Sequence, residues 1–193
     1  MTETINVLIV GVGGQGTLFA GKIIGEVAEK SGLDVVKQSE VHGMAQRGGS
    51  VVTYVRIGKQ VTSPLVEKGE ADIIVAFEQL EALRWIEFLK PGGTVIVNEQ
   101  KISPMPVIIG LAKYPANVFE RLDHAGVKII RVDAVEIAAQ CGNPKAVNIV
   151  LLGLLGRRLP LPRELWNVAI ADKSPTTTKE TNLQAFTEGW NIE

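Results

Sequence analysis

Cysteine is almost missing from this chain: Cys141 is the single thiol among 193 residues. One thiol cannot close an internal disulfide, and it cannot hold an iron–sulfur cluster, which takes about four thiolates. No metal-ligand set is read elsewhere in the sequence. Charge of one sign is missing too. Lys and Arg number 20 against 21 Asp and Glu, the net charge is -1, and the two signs are interspersed. Without a basic face or tail, nucleic acid has no electrostatic footprint to bind. Long apolar runs are absent as well. Residues 7–10 and 149–155 are far short of the roughly 20 residues that cross a bilayer, and Arg157 and Arg158 follow the second run closely. The start, Met1-Thr2-Glu3-Thr4, lacks the basic region of a secretory signal. Together these shortages predict a soluble, cytoplasmic protein with no membrane association, and the scarcity of cysteine fits a reducing compartment.

What is present is apolar substance: 46% of residues are hydrophobic, enough for a sizeable core. Residues 5–10 form an almost wholly apolar run rich in β-branched residues that ends at Gly11, as a buried parallel strand does. Ala20, Ile23, Ile24, Val27 and Ala28 then recur at helical spacing, with Lys22, Glu26 and Lys30 on the opposite face and Ser31-Gly32 as the stop. Residues 33–37 read as a second strand, which makes a βαβ unit. Residues 38–50 show no apolar period and read as a loop. Strand 51–57, a turn at Gly58-Lys59 and a return over 60–62 predict a hairpin, hence a mixed sheet.

Strand 71–77, helix 78–89 closed by Lys90-Pro91-Gly92-Gly93, and strand 94–98 follow. Pro104 and Pro106 predict an extended connection. Helix 115–125, strand 127–132, a short helix capped by Asp133 and Glu136, and helices 144–158 and 162–171 complete the pattern. The fold class expected is α/β: a three-layer, Rossmann-like domain over residues 1–171 with a mixed, mostly parallel sheet. Residues 172–193 are more polar and read as a C-terminal arm. Its stretch 183–190, with Phe186 and Trp190, packs either on a partner or back on this chain's core.

Gly11-Val12-Gly13-Gly14-Gln15-Gly16 stands between the first strand and the first helix, where glycines permit a tight turn and close approach of a ligand. The helix start adds unpaired N–H groups and the positive end of a dipole, which suit an anion. The same glycines would equally serve plain helix–sheet packing. A nicotinamide or flavin site asks for an acid at the end of the second strand, and Lys37-Gln38-Ser39 is a poor match there. Lys90-Pro91-Gly92-Gly93-Thr94 resembles a turn of S-adenosylmethionine methyltransferases, but a glycine pair after a helix is also an ordinary stop. A self-sufficient enzyme binding S-adenosylmethionine or NAD(P) is therefore the alternative reading.

The most distinctive stretch is Ser39-Glu40-Val41-His42-Gly43-Met44-Ala45-Gln46-Arg47-Gly48-Gly49-Ser50. Arg47 can grip a carboxylate or phosphate with its planar fork, and His42 can exchange a proton near neutral pH. This stretch together with Val10-Gly11-Val12-Gly13-Gly14-Gln15-Gly16 resembles the gamma subunit of 2-oxoacid:ferredoxin oxidoreductases. The His-Gly-Met-Ala-Gln-Arg-Gly-Gly form is similar to that of the indolepyruvate branch. The resemblance continues through Ala71-Asp72-Ile73-Ile74 and Asn148 to Asn182-Leu183-Gln184-Ala185-Phe186, nearly the whole chain.

The resemblance implies oxidative decarboxylation of a 2-oxoacid, such as indolepyruvate, on thiamine diphosphate. Electrons pass through iron–sulfur clusters to ferredoxin, and an acyl-coenzyme A forms. It implies that this chain is inactive alone and holds none of these cofactors. Thiamine diphosphate, magnesium and the 4Fe–4S clusters belong to a large partner subunit, with coenzyme A as co-substrate. No Gly-Asp-Gly segment with a downstream Asn, the thiamine diphosphate pattern, occurs here. The ligand-contacting residues expected are Gly11, Gly13, Gly14, Gln15, Gly16, His42, Gln46, Arg47 and Gly48, with no catalytic residue assigned. Isolated, the chain is expected to self-associate through the surface its partner would cover. Cys141 and His124 receive no function.

Overall fold

The computed structural model describes residues 4–32, 35–42, 48–58 and 61–193. Strand β1 (Ile5–Val12) leads through helix α1 (Thr17–Lys30) to β2 (Val35–His42) and β3 (Ser50–Gly58). Next come β4 (Ala71–Ala76), α2 (Gln79–Trp85) with a 3-10 turn at Ile86–Phe88, and β5 (Leu89–Asn98). Helices α3 (Met105–Ile108) and α4 (Val118–His124) precede β6 (Lys128–Val132). Helices α5 (Ala134–Gln140), α6 (Val147–Gly156), α7 (Arg163–Lys173) and α8 (Lys179–Asn191) close the chain.

The six strands form one sheet in the order β2-β3-β1-β4-β5-β6. Strands β1, β4, β5 and β6 are parallel neighbours, while β3 runs antiparallel to both β1 and β2. Both faces are covered. Val7 and Ile9 of β1 face a core completed by α1, α5, α6, α7 and α8; Leu8 and Val10 face a second core completed by α2 and α4. Burial on both sides is why β1 is apolar from Val7 to Val10 instead of alternating. The α/β architecture, mostly parallel with a C-terminal helix, is thus as the sequence predicts. Among the described residues no helix is long and apolar enough to cross a membrane.

Local structure departs from expectation at several places. The hairpin lies one segment earlier: β2 continues to His42, with Ser39, Glu40, Val41 and His42 opposite Tyr54, Thr53, Val52 and Val51. Val61 and Thr62 join no strand, and Lys59 and Gln60 lie outside the described residues. An edge strand takes its register from its one neighbour, so the apolar period that marks a buried strand is absent from 38–42. The first βαβ unit is also split, because β3 inserts between β1 and β2.

Helix α2 is shorter than 78–89, and Pro91-Gly92-Gly93 is a strand irregularity rather than a helix stop. Ala71 pairs with Leu89 but Ile73 pairs with Thr94, so the extra residues bulge out of β5. Pro104 and Pro106 do not enforce an extended link. Pro104 is extended at the N-cap of α3, and Pro106 sits in its first turn, where a missing N–H costs nothing.

Of the two placements expected for the C-terminal stretch, the structure shows packing on this chain's own core. Phe186 is fully buried and lies 5.9 Å from the Trp166 ring; Trp190 is half-buried 5.6 Å from Phe186. Helix α6 explains why. Residues 149–156 are all buried, so it is covered on the side away from the sheet as well, and α8 is the cover. Gly153 and Gly189 allow the contact: a Cβ on Gly189 would lie 2.0 Å from the Val150 carbonyl oxygen. Gly189→Ala should therefore cost at least about 2 kcal/mol, the usual scale of overpacking. Urea unfolding would measure it; a loss below about 0.5 kcal/mol would mean the two helices separate easily.

Candidate functional site

Helix α1 follows β1 onto one face of the sheet, and α2 follows β4 onto the other. Strands β1 and β4 are adjacent and parallel, so a crevice opens between their carboxyl ends, the place where open α/β sheets bind ligands. Residues 11–16 lie against residue 77 there, with Gln15 Nε2 on the Phe77 carbonyl.

The six loop positions have different surroundings. Gly11 is buried: a Cβ there would come within 2.8 Å of Gln15 Oε1 and 3.1 Å of Phe77 Cβ. Gly13 extends the β1–β3 ladder, its N–H donating to the Gly49 carbonyl at 2.8 Å and its carbonyl accepting from Gly48 N–H at 3.4 Å. Gly14 has φ 103° and nothing within 4 Å of a Cβ, so it is the open point of the loop. Gly16 is the N-cap of α1 at φ 86°, and a Cβ on it would meet Asn148 Nδ2 at 2.8 Å. Gln15 turns back: Oε1 accepts from Val12 N–H at 2.7 Å, and Nε2 donates to the Phe77 carbonyl at 3.1 Å and to Gln100 Oε1 at 3.0 Å.

The two glycine-containing segments are therefore one structure, joined through Gly13, Gly48 and Gly49. Gly48 has φ 79°, which an L side chain rarely adopts. His42 is the last residue of β2, opposite Val51. Gln46 and Arg47 lie outside the described residues. Helix α1 makes its first internal bond from Ala20 N–H to the Gly16 carbonyl and has no side-chain cap and no acid in its first turn. That leaves the Thr17, Leu18 and Phe19 N–H groups outside the helix ladder, an arrangement suited to an anion. Helix α6, whose first turn carries Asn148, likewise begins without a side-chain cap or an acid.

Several residues here escape sequence reasoning. Glu78, 1% exposed, caps α2 by accepting from Glu81 N–H at 3.1 Å. Its other oxygen accepts from Ile102 N–H at 3.1 Å and from the Tyr114 hydroxyl. One carboxylate thus pins both ends of the excursion that carries α3. Between those pins Met105, Ile108, Ile109 and Leu111 are 63%, 65%, 58% and 80% exposed. Glu81 accepts from the Ser50 hydroxyl and from Arg84 Nε, tying the start of β3 to α2. The only advance signal for Glu78 is an acid directly after a buried strand.

Cys141 is 5% exposed and its thiol is pushed up by burial and by the Glu188 charge, as an idle thiol is. His124 Nδ1 donates to the Glu120 carbonyl within its own helix. Among the described residues no group of three or more His, Cys, Asp or Glu is placed to hold a metal ion.

A profile described as pyruvate ferredoxin/flavodoxin oxidoreductase matches residues 6–192. The chain belongs to that family. The indolepyruvate oxidoreductase subunit IorB of Thermococcus kodakarensis is 41% identical over 95% of this chain and 93% of its own length. The pyruvate oxidoreductase subunit PORC of Thermotoga maritima has the same fold, with a TM-score of 0.76 and 23% identity over 99% of this chain and 97% of that one. A 2-oxoglutarate:ferredoxin oxidoreductase from Magnetococcus marinus, solved with 2-oxoglutarate, coenzyme A and succinyl-CoA bound, contains the fold as 31% of a longer chain. It covers all of this chain at 18% identity with a TM-score of 0.73. The resemblance carried by the two glycine-containing segments therefore holds along nearly the whole chain.

Burial first, and then the Glu78 carboxylate, push the Tyr114 hydroxyl well above the ordinary tyrosine value. A group raised in the folded state contributes stability that is complete below its unfolded value, about pH 10, and is lost as pH rises beyond it. Stability should fall from about pH 10 upward. Tyr114→Phe should remove part of that fall, the remainder coming from Tyr54, Cys141 and Lys30, which are also raised in the folded state. Urea midpoints between about pH 8 and about pH 11 measure both slopes; equal slopes would mean that the hydroxyl does not hold the excursion.

Proposed function

We propose that this chain is the small subunit of a thiamine diphosphate-dependent 2-oxoacid:ferredoxin oxidoreductase of the indolepyruvate or arylpyruvate type. It completes the active site of a larger partner and is inactive alone. The observation that carries this reading is the pairing of Gly13 with Gly48 and Gly49, which fuses the two segments carrying the family resemblance into one edge beside a crevice. The 41% identity to an indolepyruvate oxidoreductase subunit supports the substrate class.

The complex works in the cytoplasm. It decarboxylates the oxoacid, passes electrons to ferredoxin and releases an acyl-coenzyme A. This chain does not fit the cofactors of that reaction. Its one thiol is buried, and it has no diphosphate–magnesium segment. Thiamine diphosphate, magnesium and the clusters therefore sit on the partner. What this chain offers is anion recognition: the N–H groups at the start of α1, the open turn at Gly14, and the guanidinium of Arg47. The anions are coenzyme A phosphates or the substrate carboxylate. Covering the partner's site also excludes water from a carbanion-like intermediate.

The fold's occurrence as about a third of the Magnetococcus chain supports a large neighbour. The four exposed apolar side chains between Met105 and Leu111 also suit a covered surface, and they would drive self-association when the chain is alone. The dinucleotide alternative is not favoured: with β3 between β1 and β2, the end of β2 does not lie beside the glycine loop, where a ribose-binding acid would stand.

Affinity capture from native cytoplasm should recover a large chain with thiamine diphosphate, cluster absorbance and arylpyruvate-dependent dye reduction; capture of this chain alone would sink the proposal. Within the assembled complex, Arg47→Ala should lower turnover without changing the melting temperature. A raised KM for coenzyme A alone would place the guanidinium on its phosphates, and one for the oxoacid alone on the carboxylate. Unchanged kinetics would reject a ligand role.

A further inference from the structure

The carboxyl edge of the sheet carries a closed hydrogen-bond square. Gln15 Nε2 donates to the Phe77 carbonyl at 3.1 Å and to Gln100 Oε1 at 3.0 Å. Asn98 Nδ2 donates to the same two acceptors, at 3.0 and 3.5 Å. The other ends of the two donor amides are used as well. Gln15 Oε1 accepts from Val12 N–H at 2.7 Å, and Asn98 Oδ1 accepts from Ala134 N–H at 3.1 Å. One amide bridge thus runs from the end of β1, past the ends of β4 and β5, to the first residue of α5. Asn98 is wholly buried.

This arrangement changes the part Gln15 plays. An amide side chain has two donor hydrogens and an oxygen with two lone pairs; both hydrogens and one lone pair are engaged inward here. No donor hydrogen remains to reach an anionic ligand on the open side of the loop. What Gln15 does instead is fix the turn: its oxygen holds Val12, its nitrogen anchors the turn to β4 and β5, and Gly14 and Gly16 take positive φ on either side. We infer that Gln15 is a positioning residue. Through Gln100 and the Phe77 carbonyl it holds the glycine loop and the start of α1 in the shape that receives an anionic ligand, and it does not touch that ligand. The inference rests on the proposed ligand role of the loop.

Two variants separate positioning from contact, each studied in the chain assembled with its large partner. They are Gln15→Leu, and Gln100→Leu, which alters the square from 85 residues away and leaves the loop's own sequence intact. Hydrogen exchange of the segment 11–19 reads loop order with no ligand present. Calorimetric titrations with coenzyme A and with the arylpyruvate read affinity, and the ligand that Arg47→Ala weakens is the one scored. Both variants should speed exchange of that segment. Each should raise the dissociation constant by roughly tenfold, the scale of one misplaced hydrogen bond, with the double variant no worse than either single one.

Unchanged exchange in Gln100→Leu would overturn the inference. So would an affinity loss confined to Gln15→Leu, which is the signature of direct contact. Loosened exchange with unaltered affinity would overturn it too. If Gln15→Leu fails to fold, Gln100→Leu alone decides by the same two readings. A wild-type complex that binds neither coenzyme A nor the oxoacid refutes the proposed role of the loop instead, before any variant is made.

Discussion

At the carboxyl ends of parallel strands, backbone carbonyls run out of ladder partners just where the chain must turn. In this protein the carbonyl of Phe77, one residue past β4, is the point at which that difficulty is met. It accepts from Gln15 and from Asn98, and its own N–H donates to Val10. A buried acceptor left unsatisfied would cost about 1–3 kcal/mol, so the residues that reach it are tightly constrained. The path of the glycine loop, the end of β5 and the start of α5 all follow from which amides reach that oxygen. Because the donors share acceptors, a change in one is felt by the others.

The second constraint is β3. An antiparallel strand wedged between β1 and β2 brings the hairpin tip to the end of β1, and Gly48 and Gly49 then continue the ladder with Gly13. Backbone from two distant segments lies side by side there, which a plain βαβ unit would not provide. On the far wall of the crevice, Glu78 ties α2 to both ends of the excursion that carries α3. The wall that holds the site and the lobe that presents apolar side chains therefore share one buried carboxylate.

On the opposite face the organising fact is a helix with no polar side. Helix α6 packs towards the sheet and α1 with one flank and towards α5 and α8 with the others. Close approach of α8 depends on glycines, so the cover is held by backbone proximity and the aromatic trio Trp166, Phe186 and Trp190. A polar-looking C-terminal stretch becomes part of the core because it meets another helix and needs only a narrow apolar stripe.

The strand–helix alternation, the buried run of β1, the apolar stripe of α1 and the family resemblance were all legible in the sequence. Burial on one or both faces imposes its own period, and glycine marks the turns that no other residue tolerates. The earlier hairpin, the split βαβ unit and the strand bulge at Pro91-Gly92-Gly93 were not, and the docking of α8 was left open between a partner and the core. Each depends on a neighbour distant in the chain: β3 for β2, β4 for β5, α6 for α8. The same division runs through the site. The sequence determined that glycines at 11, 13, 14 and 16 would shape a turn before a helix. That Gly11 and Gly16 face neighbours, that Gly14 faces solvent, and that the Gln15 amide is engaged inward came from contacts made on folding. A side chain's partners are set by the residues that folding brings to it, and local pattern does not encode them.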